Sequence, residues 1–183
     1  MHQAIYQFPD LPDAPDVRVD LEDGTVLGLE DVLPHLDARR ALRLVQVLVV
    51  AGEAFERFGN YAAACPAYAA AARAAEAANN PFSQSVCLNN LALAYKHQGK
   101  YDEAIPRFEK AITLVTQPLS DPAYEALRQP RLANSLCNLA ILYQAKGDKE
   151  KKRHYAAWAL RVVESREEPD CLRVAGECRT LLS

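Results

Sequence analysis

The chain has 183 residues and a net charge of −3, with half of its residues apolar and a quarter charged. That composition excludes a wholly disordered chain and a collagen-like one, and the slightly acidic balance excludes nucleic-acid binding driven by global charge. The length fits one domain or one short repeat array.

The charge is divided along the chain. Residues 1–37 hold nine acids against one base, Arg18, a net −8, while the other 146 residues are net +5. An acidic arm precedes a mildly basic body, so either the arm folds back on the body or the body favours an acidic partner. Pro9, Pro12 and Pro15 predict extended or loose chain up to residue 16. The segment VRVDLEDGTVL, from Val17 to Leu27, alternates about Asp23-Gly24, which is a hairpin signal. An isolated hairpin is marginal and needs the rest of the chain or a partner to pack on. Leu29 to Leu36 is expected as a short helix. The opening MHQAIYQFPDLPDAPD has neither a basic start nor an apolar stretch, so it does not read as a secretory signal, and a cytoplasmic location is expected. The most apolar stretch, Val45 to Gly52, is broken by Gln46 and falls far short of the roughly 20 apolar residues of a membrane-spanning helix.

From residue 38 to 167 the chain repeats. Three segments align without gaps: LVVAGEAFERFGNYAAACPAYAAAARAAEA from Leu48, LNNLALAYKHQGKYDEAIPRFEKAITLVTQ from Leu88, and LCNLAILYQAKGDKEKKRHYAAWALRVVES from Leu136. Gly59, Gly99 and Gly147 share one slot, 40 and 48 residues apart. Each lies between two apolar runs of 3.6-residue period, where a first helix must end in a left-handed residue that glycine adopts without a Cβ penalty. Asn60 and Asp148, next to two of these glycines, are placed to cap the second helix. Phe55, Tyr95 and Tyr143 share an aromatic slot four residues before each glycine. Gly52, Ala92 and Ala140 share a small-residue slot that lets the paired helices approach closely. Each unit is a helix–turn–helix that cannot bury its apolar face alone, so the units must stack. The alanine-dense run from Ala62 to Ala78 presents a flat face that either packs closely on the next repeat or docks another backbone. The stretch from Gln117 to Arg131, with Pro118, Pro122 and Pro130, is expected as the longest interruption, holding one helical turn near Tyr124–Leu127. After Pro169, the pattern of Leu172, Val174, Ala175, Cys178, Leu181 and Leu182 predicts a capping helix over 168–183, since the ends of a solenoid need covering.

The pattern L-x2-L-A-x2-Y-x3-G-x-Y-x2-A-x3-F-x2-A, from Leu88 to Ala111, resembles a tetratricopeptide repeat. The Leu-Asn-Asn-Leu-Ala opening, the spacing above 34 residues, and Pro66 and Pro106 in one slot resemble the long repeats of kinesin light chains. The third copy departs in its second helix, with Lys149, Lys152 and Ala156 in the tyrosine, alanine and aromatic slots; Tyr155 and Trp158 are the candidates to refill that space. The resemblance implies an all-α fold, a short α-solenoid of three repeats with a C-terminal capping helix and a small N-terminal extension that includes the hairpin. It implies a non-enzymatic protein-binding module. A small free-standing array of this kind resembles the bacterial kinesin-light-chain group that accompanies bacterial tubulins, which implies binding and organising a tubulin-like filament.

The residues offer no catalytic constellation: there is no GxSxG, P-loop or GxGxxG, and the four histidines do not pair with cysteines or acids at metal spacing. No cofactor and no metal are expected. The five cysteines, odd in number and without a CxxC, read as reduced thiols packed as small apolar residues. The family carries its ligand contacts on the first helix of each repeat. Inward-facing candidates are Gln46, Val49, Val50, Glu53 and Arg57 in the first copy. The later copies offer Asn89, Asn90, Leu93, Lys96 and His97, then Asn134, Asn138, Ile141 and Gln144. Asn90 and Asn138 share a slot, and an amide there can both donate to and accept from an extended partner backbone. The resemblance implies the same use, since kinesin-light-chain repeats hold peptide cargo with these asparagines. Val49 and Val50 do not match the lysine and asparagine clamp of chaperone-binding repeats. The run Lys149, Lys151, Lys152 and Arg153 offers a basic surface to an acidic filament or an anionic lipid. Two alternatives stand beside filament binding: an adaptor for a linear peptide in the groove, and a membrane-associated scaffold using the tail helix. The oligomeric state is not legible.

Overall fold

Apolar residues recurring every three to four positions make each segment amphipathic, and packing of that apolar face, more than intrinsic propensity, is what holds helices of this length. A computed structural model describes residues 5–7, 18–20, 26–117, 122–164 and 166–183. After a short helix α1 (Leu29–Val32) and a 3-10 turn (Leu33–His35) come α2 (Ala38–Arg57), α3 (Tyr61–Ala77), α4 (Pro81–His97), α5 (Tyr101–Thr116), α6 (Pro122–Ala145), α7 (Lys149–Val163) and α8 (Pro169–Leu182). From α2 onward each helix packs on the next in the chain; α4 also touches α2 and α6, and α6 touches α8. The first helices α2, α4 and α6 therefore form one layer and α3, α5 and α7 the other, the arrangement of an all-α solenoid of three helix pairs.

The described parts of the arm form a meander of strands β1 (Ile5–Gln7), β2 (Arg18–Asp20) and β3 (Val26–Gly28), with antiparallel registers Tyr6↔Val19 and Val19↔Leu27. The hairpin expected over Val17–Leu27 is present as β2 and β3, and β1 adds a paired strand inside a stretch expected to be extended or loose. The Asp23-Gly24 turn and the three arm prolines lie outside the described residues. Leu29 and Leu33 pack against Leu44, Val45 and Leu48 of α2 and Ala71 of α3, and Glu30 pairs with Arg73. That end of the arm is folded onto the first repeat.

All four elbows close the same way. Gly59, Gly99 and Gly147 have φ of +71°, +73° and +76°, and in the α3–α4 turn Asn79 takes the same role at +51°. The N–H after each left-handed residue donates back to the carbonyl of Phe55, Ala75, Tyr95 or Tyr143, and the left-handed residue's own N–H donates to the next carbonyl. This satisfies two orphan carbonyls per helix end. The same following residue then caps the next helix: Asn60, Asn80 and Asp148 accept from the N–H groups of Ala63, Ser83 and Lys151 at 3.1, 2.9 and 3.0 Å. Lys100 has no acceptor to offer, and α5 starts without a side-chain cap. Lys100→Asn should therefore raise stability by about 0.5–1 kcal/mol and Asp148→Ala lower it by about 1 kcal/mol, in chemical denaturation. Equal midpoints for all three proteins would show that elbow capping is energetically silent.

Two expectations are corrected. The interruption from Gln117 to Arg131 is shorter than expected, because α6 starts at Pro122 and runs through Pro130. Proline suits the first turn of a helix, where its missing N–H costs nothing, and the one bond lost at Pro130 is outweighed by the burial of Leu132, Ala133 and Leu136 beyond it. The extra turns also place Arg128, whose Nε donates to Val115 O at 2.9 Å and Nη2 to Thr116 O at 3.1 Å, closing the end of α5. In α8, Leu172 points outward at 55% exposure and is not part of the buried stripe, which is Cys171, Val174, Ala175, Cys178 and Leu181. In the third repeat Tyr155 stacks on Tyr143 at 5.5 Å, and Tyr155 and Trp158 pack against the core, filling the space left by the departures there. The five cysteines are all buried and free. On α3, Ala64, Ala67, Ala71, Ala74 and Ala75 are fully buried, so the alanine face packs closely on its neighbours.

Candidate functional site

The inner layer is α2, α4 and α6, with α8 extending it. Seven of the groove candidates lie along the facing sides of α4 and α6, and the polar ones are largely occupied with each other. Asn89 is buried and its Oδ1 accepts from Ser135 Oγ at 3.0 Å. Lys96 is half-buried and its Nζ donates to Asn138 Oδ1 at 2.8 Å, while Asn138 Nδ2 donates to Asn134 O at 3.0 Å. Burial holds the Lys96 ammonium below the usual lysine range, so this hydrogen bond is made by a partly desolvated cation. The shared slot of Asn90 and Asn138 thus has two fates. Asn138 is a strut between α4 and α6, its carboxamide used at both ends. Asn90 is half-buried and makes no side-chain hydrogen bond to a described residue, so its amide is the one available to a ligand. Leu93 and Ile141 are half-buried and pack against the core.

Two candidates sit elsewhere. His97 ends α4 and stacks on Tyr61, the first residue of α3, at 4.5 Å and 13°, so it closes an elbow. Gln144 is exposed near the end of α6. On α2, Gln46, Val50, Glu53 and Arg57 are exposed and Val49 is half-buried. The strut continues into α8: Cys137 Sγ donates to Glu177 Oε2 at 3.3 Å, and Glu177 accepts from Arg173 Nη1 at 2.7 Å. The hydrogen bond with Cys178, and then burial, push the Cys137 thiol far up, keeping it a protonated donor. Ser135 and Glu177 had no signal of their own in the repeat pattern, since each stands in a slot whose partner comes from another helix.

The basic run starts α7. Lys149, Lys151 and Arg153 are exposed and Lys152 is half-buried. None of the four forms an ion pair with a described residue; Lys151 Nζ lies 4.9 Å from the centroid of the Tyr143 ring, a cation–π contact that leaves its charge unneutralised. Among the described residues no group of His, Cys, Asp and Glu side chains is arranged to hold a metal ion, and no helix is long and apolar enough to cross a membrane.

The comparisons agree with this architecture. A family model described as tetratricopeptide repeat matches residues 43–117, the first two helix pairs. No curated protein matches the sequence. Among solved structures, the crystal structure of BtubC (BKLC) from P. vanneervenii superposes with a TM-score of 0.59 at 16% identity, covering 75% of this chain and 56% of that one. The chain spans little more than half the length of that protein, and at this identity the likeness is one of fold. The repeat signature over residues 43–117, the four matching elbows and the stacked helix pairs show tetratricopeptide repeats in an all-α solenoid, a fold suited to protein–protein interaction.

Proposed function

We propose that this array is a non-enzymatic cytoplasmic module that binds and organises a tubulin-like filament, making contact through the basic start of α7. The observation that carries this reading is that Lys149, Lys151, Lys152 and Arg153 stand together with no carboxylate partner among the described residues. A patch of unpaired cations on a body that is net positive steers toward an acidic surface, and such attraction is screened by salt. The resemblance to the kinesin-light-chain group that accompanies bacterial tubulins supplies the class of filament, and the fold shared with BtubC is compatible with it.

The test is co-sedimentation with assembled bacterial tubulin filaments at about 50 and 200 mM salt, roughly a twofold change in Debye length. Saturable, stoichiometric pelleting should weaken with salt and fall at least fivefold in Lys151→Ala/Lys152→Ala/Arg153→Ala, while Asn90→Ala pellets as the parent does. Absence of pelleting at both salts removes the filament reading. A second reading, an adaptor for a linear peptide in the inner groove, is favoured by the unengaged Asn90 amide; loss of partner binding in Asn90→Ala, with the basic variant indifferent, would select it. The membrane-scaffold alternative draws no support from α8, whose apolar stripe is spent against α6 and α7.

A further inference from the structure

The outer layer holds a cleft that neither reading uses. It lies between α3 and α5 with α4 as its floor, and encloses about 360 Å³. The α3 wall is Ala69 and Ala72, too small to fill the space, with Arg73 and Glu76 beside them, Arg73 being paired with Glu30. One repeat later the same space is filled. The position of Gln84 is taken by Leu132, and those of Arg107 and Lys110 by Tyr155 and Trp158, which pack into the core there. The first inter-repeat junction has therefore traded three apolar fillers for an amide and two cations.

Those groups are not spent on the fold. Gln84 lines the cleft at 6% exposure, and its carboxamide makes no hydrogen bond to any described residue. The carboxamide opens to the cleft and presents one acceptor and two donors. Beside it Leu88 and Leu91 make an apolar floor. Neither Arg107 nor Lys110 forms an ion pair with a described residue; Arg107 donates only to the Glu103 carbonyl and lies over the Tyr95 ring. Glu76 is the one acid on the walls.

We propose that this outer cleft binds an acidic linear segment of a protein partner. An aliphatic side chain of that segment covers Leu88 and Leu91, its backbone pairs with the Gln84 carboxamide, and its carboxylates meet Arg107 and Lys110. The site is independent of the basic start of α7 and of the inner groove, so it stands or falls apart from filament binding.

The experiment is fluorescence anisotropy of the full chain with a labelled hexapeptide, Asp-Leu-Asp-Asp-Leu-Asp, at low salt. Saturable binding with a Kd on the order of 10–100 μM is expected. Gln84→Leu, which fills the position as Leu132 does and should not unfold the protein, weakens binding about tenfold. Arg107→Glu/Lys110→Glu abolishes it, and Asn90→Ala and Lys151→Ala/Lys152→Ala/Arg153→Ala leave it unchanged. Equal binding by the peptide with lysines in place of aspartates, or by the Arg107→Glu/Lys110→Glu protein, overturns the proposal, as does no saturation at about 1 mM peptide. Binding that emerges only in Asp10→Asn/Asp13→Asn/Asp16→Asn overturns it too, by assigning the cleft to the chain's own acidic arm.

Discussion

Gly52→Ala should lower the free energy of unfolding by about 2–3 kcal/mol, although alanine is favoured over glycine by about 1 kcal/mol inside a helix. The reason is the ring of Tyr68. A Cβ at position 52 would lie 2.5, 2.7 and 2.9 Å from its Cε1, Cζ and Cδ1. Tyr68 is fully buried among Ala64, Cys65, Leu91 and Ala94, so the ring has nowhere to go without moving α3 away from α2 or α4. In interiors packed to crystal density that displacement is costly. The midpoint of thermal unfolding should drop by about 5–10 °C for a chain of this length. Gly176→Ala is the control: it sits in α8 with nothing within 4 Å of an added Cβ, and should gain up to about 1 kcal/mol. Tyr68→Phe should be neutral or stabilising, because the buried hydroxyl has no hydrogen-bond partner among the described residues. A Gly52→Ala protein as stable as the parent would mean that the α2–α3 pair is packed more loosely than the ring contacts imply.

That glycine shows how far the repeat pattern carries. The small-residue slot of Gly52, Ala92 and Ala140, the aromatic three residues further on and the left-handed glycine beyond it are local rules of one helix pair, so three aligned copies make them legible without any tertiary information. The elbows follow from them residue by residue. The limits appear where a rule depends on a neighbour outside the copy. Asn79 takes a glycine's role between α3 and α4, in a turn the alignment does not cover. The early start of α6 turns on Arg128 reaching back to the carbonyls of Val115 and Thr116, which no periodicity announces. At the site the same division holds. The slot of Asn90 and Asn138 was readable, but whether an amide is free or used as a strut depends on whether a lysine stands across from it. Lys96 stands across from Asn138. The outer cleft did leave a trace in the sequence: Gln84 where the next copy has Leu132, and Arg107 and Lys110 where it has Tyr155 and Trp158. That trace becomes a cavity only when Ala69 and Ala72 are seen to leave the space unfilled.

Raising the pH should unfold this protein through its thiols before any other group, and Cys87 is the cleanest case. Its side chain is 1% exposed, and burial pushes the thiol from an ordinary value near 9 up to about 12. In the unfolded chain the thiol loses its proton near pH 9; in the folded protein it keeps it to about pH 12. The unfolded state therefore binds fewer protons in this window, and stability falls as pH rises. The contribution is whole below about pH 9 and is lost between 9 and 12. At roughly 1.4 kcal/mol per pH unit, Cys87 alone costs about 2 kcal/mol between pH 7.5 and 10.5. Tyr68, raised by burial above the usual phenol range, adds a loss of the same sign at higher pH. Lys96 opposes weakly: its lowered value means that stability rises with pH until the unfolded lysine also discharges. Urea midpoints under reducing conditions should fall from pH 7.5 to 10.5 in the parent. In Cys87→Ala, which loses about 1–2 kcal/mol at neutral pH from the vacated sulfur, the fall should be smaller by about 2 kcal/mol, bringing the two proteins close to equal stability at pH 10.5. Parallel pH curves would place the alkaline loss on the tyrosines and on Cys137, and would mean that the Cys87 thiol titrates as freely folded as unfolded.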